Sequence, residues 1–258
     1  MPEQRGSLFV VGTGIKLIAQ CTLEAQRAIE GADVVFATVD PIVLRWIEGL
    51  NGKVNTLQQF YGEGRTRLES YEQMTEAILG AVRAGQRTCA VFYGHPGIFV
   101  NPSHEAIARA RAEGFEAAML PGVSAEDCLC ADLGVDPGPG WQSYEAQDFY
   151  LRPRRFDPGT ALVLWQIGVF GDLSFKQLAP DASRLHLLAH VLMEHYPADH
   201  EVVVYEAAML PIASPRIERV PLQRLPSVTV SQESTLYIPP VAGAWGLSPE
   251  RLSRLQDT

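Results

Sequence analysis

No segment of the chain is a candidate for crossing a membrane, because no apolar run approaches the ~20 residues of a transmembrane helix. The first residues, Met-Pro-Glu-Gln-Arg-Gly, also lack the apolar segment of a signal peptide. Basic residues are few, since 21 Lys and Arg stand against 30 Asp and Glu, a formal net charge of −9. This balance disfavours a nucleic-acid partner and an anionic membrane surface, both of which usually bind a basic face. We therefore expect a cytoplasmic protein with neither partner.

Cysteine is scarce as well. The 258 residues include four cysteines, and their spacing forms no disulfide framework, which is typical of proteins in a reducing compartment. Metal-ligand patterns are also missing. His186 and His190 lie one helical turn apart, but a zinc-binding H-E-x-x-H motif needs Glu where Leu187 stands. We therefore predict no metal site. The sequence also shows neither a P-loop nor a Ser–His–Asp signature.

Apolar runs that predict strands alternate with segments that predict helices. In the first half the predicted strands are residues 7–11, 32–39, 54–57, 88–93 and 116–120. This alternation predicts an α/β fold, with a parallel sheet covered by helices on both faces. In the second half, strands are predicted at 161–167, 201–210 and 234–238, and a helix at 182–196.

A domain boundary is predicted at residues 136–140. This segment reads Asp-Pro-Gly-Pro-Gly, and two prolines with two glycines cannot continue a helix or a strand. We therefore predict an N-terminal α/β domain at 1–137 and a C-terminal α/β domain at 141–240. Residues 241–258 form a short tail with one helix, predicted at 249–255.

Three turns follow predicted strands and have the composition of ligand-binding loops. Gly12-Thr13-Gly14 follows the first strand, but Leu17 stands where a dinucleotide G-x-G-x-x-G fingerprint needs its third glycine. The stretch from Tyr93 to Ser103 reads Tyr-Gly-His-Pro-Gly-Ile-Phe-Val-Asn-Pro-Ser, and its Asn101-Pro102 pair predicts a helix N-cap. The third turn contains Ser124 and Asp127, spaced as a capping box.

A helix predicted over residues 66–84 presents two polar side chains to the protein interior. Its apolar stripe is Met74, Ile78, Ala81 and Val82, and steps of three and four residues back from this stripe reach Tyr71 and Arg67. A buried guanidinium needs a partner. The pair is therefore either a structural anchor or a catalytic couple, and spacing alone does not decide between them. Tyr61, in the glycine-rich loop before the helix, can reach the same place.

Five motifs together resemble the tetrapyrrole methylase superfamily. They are Val11-Gly12-Thr13-Gly14, Phe92-Tyr93-Gly94-His95-Pro96-Gly97, Pro121-Gly122-Val123-Ser124-Ala125-Glu126-Asp127, Tyr144-Glu145-Ala146 and Ala207-Ala208-Met209-Leu210-Pro211. More closely, the chain from about residue 6 to Pro240 resembles the peptide backbone α-N-methyltransferases of borosin biosynthesis. The central turn of tetrapyrrole methylases normally reads Gly-Asp-Pro. His95 replaces that Asp here, which favours a peptide substrate over a porphyrin.

The resemblance implies two α/β domains of the class III methylase type, with S-adenosylmethionine in the cleft between them and S-adenosylhomocysteine as product. It also implies an interlocked homodimer. Carried over position by position, the cofactor contacts would be Tyr93, His95, Ile98, Phe99, Ser124, Ala125, Gln166, Ala208, Met209 and Leu210. The catalytic group would be Tyr61, Arg67 and Tyr71, which resolves the open alternative above in favour of catalysis. Tyr61 would accept the amide proton and Tyr71 would donate to the developing imidate oxygen, or the two would exchange roles.

The expected reaction is iterative methylation of backbone amides in a ribosomally made precursor peptide. Fused borosin proteins carry a clasp region and an apolar core peptide after the methyltransferase. The residues after Pro240 here resemble neither, so we expect a separate precursor, with a homodimer binding two such chains through their leader regions. The alternatives are a corrin or porphyrinogen C-methyltransferase and a cofactor-binding regulatory module without turnover.

Overall fold

The structure is a computed structural model that describes residues 6–61, 66–172, 180–243 and 246–256. The chain forms two compact units. The first runs to Gly134 and also includes Ala207–Ser214, a segment that the sequence had placed in the second domain. The second takes the described residues from Val135 to Glu206 and from Pro215 onwards.

The first unit is built on a parallel sheet. Its strands are β1 (Ser7–Gly12), β2 (Val34–Thr38), β3 (Val54–Thr56), β4 (Arg87–Phe92) and β5 (Glu116–Met119). They lie in the order β3-β2-β4-β1-β5, and every pairing is parallel. The predicted parallel sheet is confirmed.

Helices cover both faces of this sheet. They are α1 (Leu23–Gly31), α2 (Pro41–Leu50), α3 (Arg67–Arg83), α4 (Asn101–Ala112) and α5 (Ala125–Leu133). Successive strand residues point to opposite faces, so Val10 packs in a core with α3 and α4, whereas Val11 packs in a core with α1 and α2. Two apolar layers therefore hold the sheet from either side.

Side-chain caps fix the starts of α1, α2, α3 and α5, through Thr22, Asp40, Thr66 and Ser124. Asn101 was predicted as the N-cap of α4, but it is already helical, and Val100 precedes it without a side-chain capping bond. Pro102 then lies in the first turn, where its missing N–H costs nothing.

The second unit contains a mixed sheet. Its strands are β6 (Trp141–Glu145), β7 (Ala161–Trp165), β8 (Glu201–Glu206), β9 (Arg216–Pro221) and β10 (Thr235–Ile238), in the order β6-β7-β10-β8-β9. Only β6 and β7 are parallel among the described pairings. Its helices are α6 (Ala146–Leu151), α7 (Leu185–Met193) and α8 (Pro249–Gln256). The short β6, α6 and β9 were not predicted.

Two strands of the second unit end before the predicted residue. The apolar run at 161–167 ends as a strand at Trp165, because Gln166 turns into the left-handed conformation with φ of 61°. The run at 201–210 ends as a strand at Glu206, and the next eight residues belong to the first unit. Among the described helices, none combines the length and apolar character that a bilayer crossing requires.

Candidate functional site

The strand order makes the carboxyl ends of β1 and β4 a topological switch point of the first sheet. These strands are neighbours, but the chain leaving β1 goes to β2 on one side, and the chain leaving β4 goes to β5 on the other. Ligands of open α/β sheets bind at such a switch point, outside the carboxyl ends of the strands. The turns that follow β1 and β4 are two of those that the sequence singled out.

Glycines allow the turns after β1, β4 and β5 to come into direct backbone contact. Gly14 and Gly94 exchange two backbone hydrogen bonds, of 3.2 and 3.0 Å. A Cβ added to Gly12 would lie 2.0 Å from the carbonyl oxygen of Gly94, and one added to Gly122 would lie 3.0 Å from the same oxygen. The three turns therefore form a close, largely buried backbone contact, here called the glycine cradle, which the absence of a side chain at Gly12 and Gly122 permits.

The central turn after β4 is fastened by the helix that follows it. Gly97 donates its N–H to Nδ1 of His95 at 3.0 Å, and its carbonyl oxygen lies 2.8 Å from Nε2 of His104. An accepting Nδ1 places the proton of the neutral His95 ring on Nε2, which stays available as a donor. The histidine that the resemblance assigns to the cofactor is thus held by its own turn.

A buried serine completes this support. The hydroxyl of Ser103, in the first turn of α4, lies within hydrogen-bonding distance of the carbonyl oxygens of Pro96 and Val100. The Ser103 side chain is fully buried. Removing this hydroxyl would leave buried carbonyl groups with one donor fewer.

Two apolar side chains stand out from the central turn. Ile98 and Phe99 are 42% and 51% exposed, although large apolar side chains are usually buried. Phe99 also has a φ of 56°, a left-handed conformation that is uncommon for a residue with a Cβ. Such backbone strain concentrates at ligand-binding sites. Tyr93, directly after β4, is half-buried.

The third turn leads into α5 through the predicted capping box. Ser124 accepts the N–H of Asp127 at 3.1 Å, while the carboxylate of Asp127 accepts the N–H of Ser124 at 2.6 Å and its hydroxyl at 2.7 Å. The capping prediction is confirmed. Because its hydroxyl proton is committed to Asp127, Ser124 can offer a ligand only its remaining lone pair. Ala125 is the first residue of the helix.

The segment after β8 supplies the remaining predicted contacts in the first unit. Met209 accepts the N–H of Leu17 at 2.8 Å and packs against the core of α1 and α2. Ala208 is buried, and Leu210 is 45% exposed. Gln166, the one predicted contact in the second unit, occupies the left-handed position after β7.

The three predicted catalytic residues are grouped at the start of α3. Thr66 and Glu69 form a capping box that fixes Arg67 as the first helical residue. Tyr71 lies one turn later and packs against the core of α3 and α4. Tyr61 follows a 3₁₀ helix (Gln58–Phe60), and its ring meets that of Tyr71 edge to face, with centroids 6.4 Å apart.

The electrostatics of this group centre on Tyr61. Partial burial raises the pKa of its hydroxyl to about 12, and a hydrogen bond with Tyr71 adds to the increase. The positive charge of Arg67 acts in the opposite direction. Arg67 is half-buried, and no carboxylate among the described residues forms an ion pair with it. Across the same ranges, no group of His, Cys, Asp and Glu has an arrangement that would hold a metal.

Three supporting residues were missed by sequence reasoning: Gln20, Ser103 and His104. Gln20 accepts the backbone N–H groups of Ile15 and Lys16 with its Oε1, at 3.0 and 2.7 Å, and its Nε2 donates to the sulfur of Cys128. It therefore ties the turn after β1 to α5. No local motif marks these three residues, because each acts on a turn across a contact that depends on the fold.

The family follows from comparison with known proteins. Residues 7–226 match the family model described as Tetrapyrrole (Corrin/Porphyrin) Methylases. The chain belongs to this family of methyltransferases, and its two α/β units have the tetrapyrrole methylase fold. The predicted superfamily and fold class are confirmed.

Solved structures support the same fold. The uroporphyrin-III-C-methyltransferase of Thermus thermophilus superposes with a TM-score of 0.66 at 24% identity, covering 93% of this chain and 96% of that one. Cobalt precorrin-4 methyltransferase superposes with a TM-score of 0.64 at 16% identity, covering 90% and 94%. At these identities the likeness concerns the fold alone.

Curated relatives are more similar in sequence. A methyltransferase/ribosomally synthesized cyclic peptide gymnopeptides precursor from Gymnopus fusipes is 45% identical over 244 residues, covering 92% of this chain and 58% of that protein. The corresponding omphalotin A precursor from Omphalotus olearius is 44% identical, with the same coverage. A type I borosin cyclic peptide precursor from Serendipita vermifera is 40% identical, covering 98% and 65%. The chain thus spans less than two thirds of the relatives that it matches here.

Proposed function

We propose that this chain transfers methyl groups from S-adenosylmethionine to backbone amide nitrogens of a ribosomally made precursor peptide. The observation that carries the proposal is the group of Tyr61, Arg67 and Tyr71 at the start of α3, in the same unit as the glycine cradle. The relatives support it, because their names join a methyltransferase with a cyclic peptide precursor.

The cradle suits a cofactor of this class. Gly12 and Gly122 approach the carbonyl oxygen of Gly94 so closely that a Cβ added at either position would meet it. The turns after β1 and β4 are therefore held together at the carboxyl ends of their strands, which is where ligands of open α/β sheets bind. The exposed Ile98 and Phe99 offer apolar surface, and Nε2–H of His95 offers a donor. The proposed contacts also include Tyr93, Ala208, Met209, Leu210 and Gln166.

The substrate determines what the catalytic group must do. A peptide nitrogen is a poor nucleophile, because its lone pair is delocalised into the carbonyl group. The bound cofactor supplies an electrophilic methyl group. The protein must hold the amide in line, take its proton and stabilise negative charge on its oxygen. A guanidinium and two phenol groups can perform these last two tasks.

We assign Tyr61 as the proton acceptor, Tyr71 as the donor to the amide oxygen, and Arg67 as a guanidinium whose charge and directed N–H donors favour both. Because the pKa of Tyr61 is about 12, only a small ionised fraction exists at neutral pH. Arg67 enlarges that fraction, since a nearby cation favours the phenolate. The same cation stabilises an imidate oxygen as it forms.

The mode of substrate presentation is a separate part of the proposal. The named relatives join methyltransferase and precursor in one polypeptide. We propose a separate precursor as the mode to be tested against a fused one, with a homodimer that binds two chains. Intermolecular methylation predicts a rate that saturates with peptide concentration, and light scattering would report the mass of the free and loaded assemblies.

The central test offers S-adenosylmethionine with three acceptors, and mass spectrometry identifies the product. The acceptors are a separate precursor peptide, a fusion of the chain with that peptide, and uroporphyrinogen. Methylated peptide supports the proposal, and turnover of the fusion alone overturns the separate-precursor part. Methylated tetrapyrrole favours the C-methyltransferase alternative, to which the family description points. Cofactor binding without any product favours a regulatory module.

A further inference from the structure

A polar cluster in the second unit lies at the end of β8 and is not part of the site described above. The hydroxyl of Ser234, which is fully buried, donates to Oε1 of Glu206 at 2.5 Å. Nη1 of Arg216 donates to the same oxygen at 2.8 Å, from the position directly opposite on β9. We call Glu206, Ser234 and Arg216 the β8 cluster. Glu206 is the last residue of the second unit before the chain enters Ala207–Ser214.

The same serine also holds the turn that follows β7. Ile167 donates its N–H to the carbonyl oxygen of Ser234 at 3.1 Å. Gly168 packs against the neighbouring backbone so tightly that an added Cβ would lie 1.7 Å from the carbonyl oxygen of Ser231. Ser231 is in turn bound through its N–H to the hydroxyl of Ser234, at 2.7 Å. Ser234 therefore links the end of β8 to the left-handed turn at Gln166.

The charge of Glu206 suits this linking role. Burial acts to raise the pKa of its carboxyl, but the hydroxyls of Ser234 and Ser231 and the guanidinium of Arg216 outweigh burial and hold the pKa below its ordinary value. Glu206 is therefore ionised at neutral pH. Hydrogen bonds to an ionised acceptor are stronger than those between neutral groups.

We propose that Glu206 and Ser234 are positioning residues for the cofactor. They hold the turn that carries Gln166 in a fixed position relative to the end of β8. From the end of β8 the chain continues to Ala208, Met209 and Leu210. This inference rests on the proposed function, because these four residues are proposed cofactor contacts. Neither Glu206 nor Ser234 needs to touch the cofactor, since both act through the backbone.

The chain offers a matched control at the opposite end of the same strand. Glu201 is the first residue of β8, and it also pairs with an arginine on β9, Arg219, at 3.2 Å. Both of those side chains are more than half exposed, and a surface ion pair of this kind contributes little. Glu201→Gln therefore removes the same charge from the same strand without touching the β8 cluster.

The test measures S-adenosylmethionine binding by calorimetry, together with steady-state kinetics and melting temperature, for Ser234→Ala, Glu206→Gln and Glu201→Gln. We expect both cluster variants to raise Kd and KM for the cofactor by about tenfold, the effect of one hydrogen bond to a charged group. The kcat and the peptide KM should stay near wild type, as should every parameter of Glu201→Gln. The double variant should lose less than the two effects combined, because they share one hydrogen bond.

The possible outcomes distinguish a failure of this inference from a failure of the proposed function. A lower melting temperature with unchanged cofactor Kd would show that the cluster is merely structural and would overturn the inference alone. A wild-type chain that does not bind S-adenosylmethionine would overturn the proposed function and the inference together. If Ser234→Ala does not fold, Glu206→Gln decides the question, because it preserves the shape of the side chain.

Discussion

Tyr61 and Tyr71 meet ring edge to ring face at the start of α3, with their centroids 6.4 Å apart. Arg67 lies between them in sequence and is the first residue of α3, where the helix dipole opposes a positive charge. The protein thus places a positive charge where it disfavours the helix and favours ionisation of a tyrosine. Local destabilisation of this kind is typical of a functional site.

Arg67→Lys should abolish most methyl transfer while leaving the fold and cofactor affinity intact. Lysine keeps the charge but loses the planar set of directed donors, and losing a preorganised donor costs about 10²–10³ in turnover. Single-turnover rates, cofactor Kd and melting temperature should be compared with those of Arg83→Lys, at the other end of the same helix. A rate near wild type for Arg67→Lys would remove it from the catalytic group.

Tyr61 should give methyl transfer a marked pH dependence. If it accepts the amide proton, the rate should rise about tenfold per pH unit at alkaline pH below its pKa of about 12. Tyr61→Phe should lower the rate and abolish its dependence on pH. Tyr71→Phe should lower the rate but preserve the pH dependence. The reverse pattern would exchange the two roles.

The same pKa makes a prediction about stability. The folded state holds the Tyr61 proton up to a pH of about 12, whereas the unfolded state releases it at about 10. In that window the folded state binds more protons, so the free energy of unfolding decreases as pH rises. Tyr61→Phe should show a smaller decrease than wild type in denaturant titrations at these pH values. An identical decrease in the two proteins would contradict the raised pKa.

Gly12→Ala should prevent cofactor binding or folding. The added methyl group would lie 2.0 Å from the carbonyl oxygen of Gly94, and a backbone atom cannot move aside without separating the turns. Gly80→Ala is the control, because it lies in α3 with open space where its Cβ would be. It should stabilise the protein by up to about 1 kcal/mol through helix propensity. Thermal unfolding and calorimetry would measure both effects. Normal cofactor binding by Gly12→Ala would show that the glycine cradle is not needed for the cofactor site.

Ser103→Ala should destabilise the protein by about 1–3 kcal/mol and weaken cofactor binding, because buried carbonyl groups lose their donor. Thr75→Val provides the contrast. Its hydroxyl is also buried, but it has no hydrogen-bond partner among the described residues, so its removal should be neutral or stabilising. Denaturant unfolding of the two variants would measure the difference. Equal costs would mean that the Ser103 hydroxyl does not support the central turn.

Much of the first unit could be predicted from local chemistry. The apolar runs gave the parallel strands, and capping residues such as Ser124 gave helix starts close to those observed. The inward placement of Tyr71 followed from helical periodicity, and the structure packs it against the core. These features depend on residues that are near one another in sequence.

Features that depend on tertiary contacts could not be predicted. The run at 201–210 looks like one strand, but pairing with β9 and β10 accounts only for its first part, and the remainder packs in the first unit through Met209. The supports from Ser103 and His104 likewise require the turn and α4 to fold together. The roles of the site residues come from the resemblance, and they stay predictions until the variants above are measured.

The most direct test of the central claim is to locate the transferred methyl group by fragmentation mass spectrometry of a precursor peptide incubated with the enzyme and S-adenosylmethionine. The account predicts added methyl groups on backbone nitrogens within the core region, greatly reduced with Arg67→Lys. Methyl groups confined to side chains or termini, or an unmodified peptide beside a methylated tetrapyrrole, would contradict it.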